Sequence, residues 1–410
     1  MGLSEDLAPR LPVACLSVAF LVFFYWRLRV EFGLPAAAYA AAILATSAGW
    51  VAYSHAAVFD IPLAATLGAA MLLLLPWVER GDRRNLMGFG ALLGLSMLAK
   101  GLAGPALAVL TLLCWALSQN RDRKGADLRH VIHPRPIAAF LLVAAPWYIF
   151  CWARNGTPFL TDFFWKHHVA RFFAGALEHN QPIWFFLPVL ALGLLPWTPL
   201  YLTLPWWDLW RERRPRFLLT WVTVTLVFFS LSRDKLPGYI LPALPPLAAL
   251  AGLALARANR PVRAGLALSA LTLGLVPAAA SLLPDALNTG LRQALAGLPV
   301  NGAALLAAAG LGFVVWRAER RLAVALVAVA AVAGYVWIKQ TTFPAIERQA
   351  GSRGLWEQVR PHREEVCLGD VRRSLAYGLY YYAGRRLPDC ADQPQRYRIE
   401  DRQVVLFLEP

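Results

Sequence analysis

A succession of about twelve strongly apolar segments constrains this chain more than any other feature. Most of them approach the ~20 residues that a helix needs to cross the hydrocarbon core of a bilayer. Hydrophobic residues form 58% of the 410-residue sequence, more than the ~45–50% of soluble domains. The sequence therefore predicts an all-α polytopic membrane protein. The predicted spans cover residues 11–29, 35–57, 61–78, 86–100, 102–118, 137–153, 184–206, 217–232, 238–256, 264–284, 301–316 and 322–339.

Arginine-rich connections follow the odd-numbered spans. Arg27 and Arg29 end the first span, Arg80 and Arg83 follow the third, and the later odd spans repeat the pattern. Short basic loops remain in the cytoplasm, so the even-numbered spans are predicted to end outside. This topology accounts for much of the net charge of +15, and no nucleic-acid partner is expected.

The chain divides by composition into two predicted domains. Residues 1–340 form the transmembrane domain, with an outer interfacial segment at 154–183, and residues 341–410 form a small extracytoplasmic α/β domain. Cys367 and Cys390 lie in this polar tail, where they are either a disulfide of an oxidising compartment or two free thiols. The predicted elements of the tail are helices at 354–359 and 372–382 and strands at 365–368 and 403–408.

Two ionisable residues stand at the predicted outer ends of early spans. Charges at the membrane boundary are costly and indicate functional sites by default. Asp60 is either a carboxylate on a catalytic cavity or the N-cap of the following helix. Lys100 either pairs with an anion, such as a lipid phosphate, or extends its ammonium group to the membrane interface.

Two further clusters of cations lie on the same predicted side. If residues 163–173 are helical, His167, His168 and Arg171 share one face, opposite an aromatic face. This pattern suits either an interfacial helix beside an aqueous site or an ordinary amphipathic loop helix. The turn SRDKLPGYILP carries the third set of candidates, which a solvated Pro-Gly hairpin would also explain. Its candidates are Arg233, Lys235 and Tyr239.

Nucleotide-dependent chemistry is not indicated by the sequence. It contains no convincing Walker loop or GxGxxG, HExxH, CxxC or GxSxG motif. A substrate delivered by a membrane lipid fits cations gathered at the outer face, because Lys and Arg hold phosphate through charge-assisted hydrogen bonds. A lipid-linked sugar transporter is the alternative, but it predicts mid-membrane polar groups and an internal repeat, which the sequence lacks.

Seven stretches carry a resemblance to a known family. They are FDIPLAATL, GLSMLAKGLAGP, PWYIFCWARNGTPF, FFWKHHVARFF, HNQPIWFF, LLPW and FFSLSRDKLPGYILPALPPLAALAG, in order over residues 60–252. The chain resembles the GT-C class of membrane glycosyltransferases, in the branch of the aminoarabinose transferases and the protein O-mannosyltransferases. The resemblance implies a GT-C fold and sugar transfer from a polyprenyl-phosphate carrier. The acceptor would be a lipid such as lipid A, a glycan or a protein, at the outer face of the bacterial inner membrane.

The resemblance also implies roles for individual residues. Asp60 matches an acidic residue at the family's cavity, and Tyr239 matches the tyrosine of its KLPxY turn. His168 matches a histidine that lies by a bound metal in some relatives, so a divalent metal is allowed but not required. The positions that match cations near the lipid phosphate are Lys100, Arg171 and Lys235.

One departure from the family affects the expected chemistry. The family has an earlier helix and a long outer loop with an Asp-Glu pair, whereas APRLPVA resembles the entry to its second helix. The carboxylate expected to activate the acceptor is thus missing from the sequence as it stands. A truncated enzyme, a subunit of a split enzyme and a non-catalytic remnant are the alternatives.

Overall fold

Helices account for nearly all of the architecture in the computed structural model, which describes residues 5–119, 127–163, 181–257, 260–289, 301–400 and 403–406. The first nine helices are α1 (Leu11–Phe32), α2 (Leu34–Thr46), α3 (Ala48–Ser54), α4 (Asp60–Leu73), α5 (Leu75–Arg80), α6 (Leu86–Lys100), α7 (Ala103–Leu117), α8 (Pro134–Asn155) and α9 (Thr157–Leu160). The next nine are α10 (Phe186–Gly193), α11 (Thr198–Tyr201), α12 (Trp206–Arg211), α13 (Arg213–Leu231), α14 (Leu244–Arg257), α15 (Arg260–Thr272), α16 (Val276–Thr289), α17 (Gly302–Arg317) and α18 (Arg320–Thr341).

The tail continues with α19 (Phe343–Ala350), α20 (Arg353–Val359), β1 (Val366–Leu368), α21 (Arg373–Ala383), β2 (Tyr397–Glu400) and β3 (Gln403–Leu406). Short 3₁₀ segments stand at Leu128–His130, Pro237–Ala243, Leu273–Leu275 and Arg360–His362.

The described helices confirm a multi-pass membrane fold. Seven are long and apolar enough to cross a bilayer, or eight if the bent pair α2 and α3 is one span. The shorter apolar helices α6, α7 and α17 coincide with three further predicted spans. The predicted span 184–206 differs from a single helix, because it is broken into α10 and α11 before α12 begins.

The chain forms two compact units, of which the first contains residues 1–270 and 311–329. Its two most buried spans are Asp60–Arg80 and Pro237–Arg257, with 89% and 94% of their most apolar windows buried. Both are apolar on all sides, as expected of central helices. Helix α6 approaches α8 so closely that a Cβ on Gly90 would lie 2.1 Å from the carbonyl oxygen of Pro136. Small residues permit such backbone contact between membrane helices.

The break between α2 and α3 turns the chain by 60° at Ser47. Polar groups of the LLPW stretch form hydrogen bonds with the residues on both sides of this break. The indole nitrogen of Trp197 donates to Thr46 Oγ1 at 2.9 Å, and the amide of Ala48 donates to the carbonyl of Leu195 at 2.9 Å. The segment between α10 and α11 therefore helps to fix the direction of α3.

A buried ionic network ties α1, α5 and α13 together at their arginine-bearing ends. Arg27 pairs with Glu31 at 2.9 Å, and their side chains are 6% and 1% exposed. Arg214 reaches Glu31 at 3.3 Å and Glu79 at 3.6 Å. The guanidinium groups also donate to the carbonyls of Leu72 and Glu31.

The second compact unit contains residues 271–310 and 330–410. Its tail has a three-stranded sheet of order β1-β2-β3, in which β1 pairs with β2 in parallel and β2 with β3 in antiparallel fashion. The predicted helices and strands of the tail are present, and α19 and β2 are elements that the sequence analysis missed. Cys367 and Cys390 form a disulfide, which decides between the two alternatives for this pair. A domain boundary at residue 340 stays a prediction.

Candidate functional site

An ion pair joins the ends of two central helices. Asp60 is the first residue of α4, and Lys100 is the last residue of α6 before Gly101, whose φ of +60° ends the helix. Lys100 Nζ lies 2.5 Å from Asp60 Oδ1, with side-chain exposures of 27% and 13%. The Lys100 side chain is thus partly exposed, while the carboxylate fixes the position of its ammonium group.

The KLPGY turn supplies the other wall of this cluster. Tyr239 lies in the 3₁₀ segment Pro237–Ala243, and its ring centroid is 4.4 Å from Lys100 Nζ. That distance is typical of a cation–π contact. The Tyr239 ring packs in turn on Phe229 of α13, at 5.3 Å between centroids.

A fourth side chain, that of Tyr53, meets the cluster next to Gly238. A Cβ on Gly238 would lie 2.6 Å from Tyr53 Cε1 and 2.7 Å from Asp60 Cγ. No side chain larger than hydrogen fits between the turn and these two groups. Tyr53, on the last turn of α3, is therefore a site residue that the sequence analysis missed.

The charged residues of the same turn separate into buried and exposed groups. Arg233 is exposed, whereas Asp234 and Lys235 are 1% and 6% exposed. A solvated hairpin is thus wrong for Asp234 and Lys235. Lys235 Nζ donates to the carbonyl of Ser232 at 2.5 Å, and among the ion pairs of the described residues none joins Lys235 to a carboxylate. A buried cation without a carboxylate partner is costly unless an anion binds there.

The structure thus brings Asp60, Lys100 and Tyr239 together and places Lys235 four residues before Tyr239. The three predicted residues of the interfacial segment fall outside the described residues. These are His167, His168 and Arg171. Where the chain is described, no three His, Cys, Asp or Glu side chains converge as metal ligands, and the metal suggested at His168 stays a prediction.

The sequence carried only a weak signal for Tyr53. It lies seven positions before Asp60 in the stretch YSHAAVFD, where most residues are small or apolar. Its approach to the site depends on the 60° break between α2 and α3, which hydropathy does not reveal.

The chain is similar in sequence to known membrane glycosyltransferases. Residues 2–152 match the family model of dolichyl-phosphate-mannose-protein mannosyltransferases. The chain is 36% identical over 234 residues to the undecaprenyl phosphate-alpha-4-amino-4-deoxy-L-arabinose arabinosyl transferase of Pseudomonas aeruginosa. It is 33% identical over 241 residues to the enzyme of that name from Yersinia pestis. These matches span 55% and 57% of the chain but only 42% of either relative.

The similarity in structure extends further than the similarity in sequence. The crystal structure of ArnT from Cupriavidus metallidurans bound to undecaprenyl phosphate superposes with a TM-score of 0.70, at 25% identity. The match covers 92% of this chain and 71% of that one. The apo structure of the same protein gives a TM-score of 0.70 at 24% identity. The chain therefore has the GT-C fold of a multi-pass membrane glycosyltransferase and is similar to the aminoarabinose transferases and protein mannosyltransferases.

Proposed function

We propose that this chain transfers a sugar from a polyprenyl-phosphate carrier to a lipid, glycan or protein acceptor. The observation that carries the proposal is Lys235, a buried cation that forms no ion pair with a carboxylate of the described residues, in the turn that holds Tyr239 against Lys100. A lipid phosphate is an anion that would compensate this charge. ArnT from Cupriavidus metallidurans, which has the same fold, has a crystal structure with bound undecaprenyl phosphate. This complex supports the same ligand here.

Lys100 and Lys235 are proposed to hold the phosphate of the carrier. Negative charge develops on this phosphate as the sugar leaves, and preorganised cations stabilise it most at that moment. Asp60 is proposed to hold Lys100 in place through the ion pair between Asp60 Oδ1 and Lys100 Nζ, which are 2.5 Å apart. Arg171 matches a cation near the lipid phosphate in the family and is included in the proposed site. The other proposed substrate-binding residues are the sequence candidates His167, His168 and Arg233.

The acceptor hydroxyl needs a base to remove its proton. Asp60 is the carboxylate of the described cluster, and we propose it as the catalytic carboxylate of this chain. The named relatives suggest 4-amino-4-deoxy-L-arabinose on undecaprenyl phosphate as the donor to test first, with lipid A as a lipid acceptor.

The proposed location is the bacterial inner membrane, with the site and the tail on the periplasmic side. Basic loops after the odd-numbered spans support this orientation. The Cys367–Cys390 disulfide supports it independently, because disulfides persist in the periplasm and are rare in the cytosol.

Sugar transfer in proteoliposomes tests the proposal. The purified chain is incubated with labelled undecaprenyl-phosphate aminoarabinose and lipid A, and labelled product is measured. Lys100→Met and Lys235→Met are each expected to lower the rate by about a hundredfold or more, because each removes a charge at the leaving phosphate. Lys339→Met, an exposed lysine in the last turn of α18, is the matched control and keeps the wild-type rate.

Two outcomes would contradict different parts of the proposal. The first is unchanged transfer in both site variants, which would overturn the phosphate site assigned to Lys100 and Lys235. The second is wild-type protein that binds undecaprenyl phosphate but transfers neither aminoarabinose nor mannose to any acceptor class, which would identify a non-catalytic carrier-binding protein.

A further inference from the structure

Helix α21 of the tail has one covered face and one open face. Leu379 is fully buried and Leu375 packs against the same small core, which also contains Trp356 and Ile399. At one and two turns from Arg373 the helix instead carries Tyr377 and Tyr381, which are 54% and 50% exposed. Between residues 351 and 400 these two are the exposed large hydrophobic side chains. Their spacing of four residues places the two aromatic rings on the same open face of the helix.

Arginines stand at both ends of the helix that carries this face. From residue 371 to residue 388 the chain contains four arginines and no acidic residue. Arg372 and Arg373 stand at the start of α21, and Arg385 and Arg386 follow its end. The acidic neighbour Glu364 pairs with Arg385 at 2.8 Å. The face therefore favours an anionic partner.

The open face is also preorganised. Arg373 Nε donates to the hydroxyl of Tyr377 at 2.8 Å, and its guanidinium lies 5.3 Å from the centroid of the Tyr377 ring. A fixed guanidinium binds the oxygens of a phosphate through parallel hydrogen bonds. An exposed phenol ring next to it offers a flat apolar surface and a hydroxyl, which suits a sugar ring better than an alkyl chain.

We propose that Arg373, Tyr377 and Tyr381 form a docking surface for the phosphorylated saccharide head group of a glycolipid. Arg373 binds the phosphate, and the two tyrosine rings contact the sugar. Insertion of this face into the bilayer is disfavoured, because its open side chains all carry hydrogen-bonding groups while the leucines of α21 face the core.

The glycolipid would be an acceptor only if the proposed sugar transfer holds. Binding at α21 does not depend on transfer, because none of its three residues belongs to the Asp60–Lys100 cluster. Lys100→Met is therefore expected to lower transfer by about a hundredfold or more and to leave saccharide binding at the wild-type level. The two proposals can thus fail separately.

Fluorescence anisotropy with an acyl-free probe tests the docking surface. The full chain is placed in phosphatidylcholine nanodiscs and titrated against a labelled glucosamine disaccharide that carries two phosphates. Arg373→Ala is expected to raise the Kd at least tenfold, and the double variant Tyr377→Ala/Tyr381→Ala at least as much. Removal of both phosphates from the probe is expected to have an effect as large as that of Arg373→Ala.

Arg353→Ala is the matched control. It removes the same charge from an exposed arginine on α20 of the same domain and should leave the Kd unchanged. Continued protection of Cys367 and Cys390 from alkylation without reductant shows that each variant is folded. Equal Kd values for wild type and Arg373→Ala would overturn the proposal. The proposal would also be overturned if the variants bound the saccharide probe normally and lost only binding to vesicles of anionic phospholipid. That result would identify the face as a membrane-binding surface.

Discussion

Gly238 is the residue on which the geometry of the site depends most directly. The turn passes so close to Tyr53 and Asp60 that the space for a Cβ is already occupied. The backbone of the KLPGY turn can thereby approach the carboxylate that pairs with Lys100. Asp60, Lys100 and Tyr239 can meet only if the turn carries no side chain at this point.

Gly238→Ala tests this dependence. The added methyl group would lie 2.6–2.8 Å from Tyr53 and Asp60, so the turn must move. Overpacking of this kind costs about 1–3 kcal/mol. We expect the free energy of unfolding in mixed micelles to fall by that amount. The transfer rate should fall by more than the loss of folded protein explains.

Gly310→Ala in α17 is the matched control, because nothing lies within 4 Å of its Cβ position. It is expected to leave stability unchanged or to raise it slightly, since alanine favours helix. Equal behaviour of the two variants would contradict the packing argument.

At the level of elements, the break between α2 and α3 decides which residues reach the site. A straight continuation of α2 would carry Tyr53 away from Gly238, whereas the 60° turn directs α3 towards the 3₁₀ segment. The Trp197–Thr46 hydrogen bond spans 151 positions of sequence and is buried. The polar link between the LLPW stretch and α2 therefore stabilises the bend.

Thr46→Val should weaken the bend. It removes the acceptor of the Trp197 indole and leaves a buried N–H without this partner, at a cost of about 1–3 kcal/mol. We expect a lower thermal midpoint in detergent together with a lower transfer rate.

Thr66→Val provides the comparison, since the Thr66 hydroxyl bonds only to carbonyls of its own helix, those of Pro62 and Leu63. Its effect should be smaller. A Thr66 variant as unstable as the Thr46 variant would show that the bend contributes no special stability.

At the scale of the whole bundle, one ionic network connects segments that are far apart in sequence. Glu31 forms ion pairs with Arg27 of its own helix and with Arg214 of α13, and Arg214 also reaches Glu79 of α5. Removal of one partner from a buried ion pair is costly, because it leaves a charge without compensation. The arginine-bearing ends of three helices are thus held together by charge.

Glu31→Gln should destabilise the protein by about 3–5 kcal/mol, because two arginines lose their common carboxylate. The measurement is the free energy of unfolding in mixed micelles. Glu212→Gln is the control: its pair with Arg257 is bidentate but about half exposed, and exposed pairs contribute about 1 kcal/mol or less. Similar losses in the two variants would mean that burial does not determine the strength of this network.

Hydropathy, loop charge and local sequence pattern were sufficient to predict the membrane class, most spans and the elements of the tail except α19 and β2. Such features are local, because burial in lipid rewards each apolar segment largely by itself. Family motifs also identified Asp60, Lys100 and Tyr239 as site candidates before their contacts were known.

Only the tertiary structure decided how these residues meet. The contact of Lys100 with Asp60 spans 40 positions, and its partner Tyr239 comes from a distant turn. The burial of Lys235, the participation of Tyr53 and the pairing of Cys367 with Cys390 likewise depend on packing between segments. The physical reason is that hydrophobicity places each segment in or out of the bilayer, whereas close packing and polar pairing between distant segments select one arrangement among those that hydrophobicity allows.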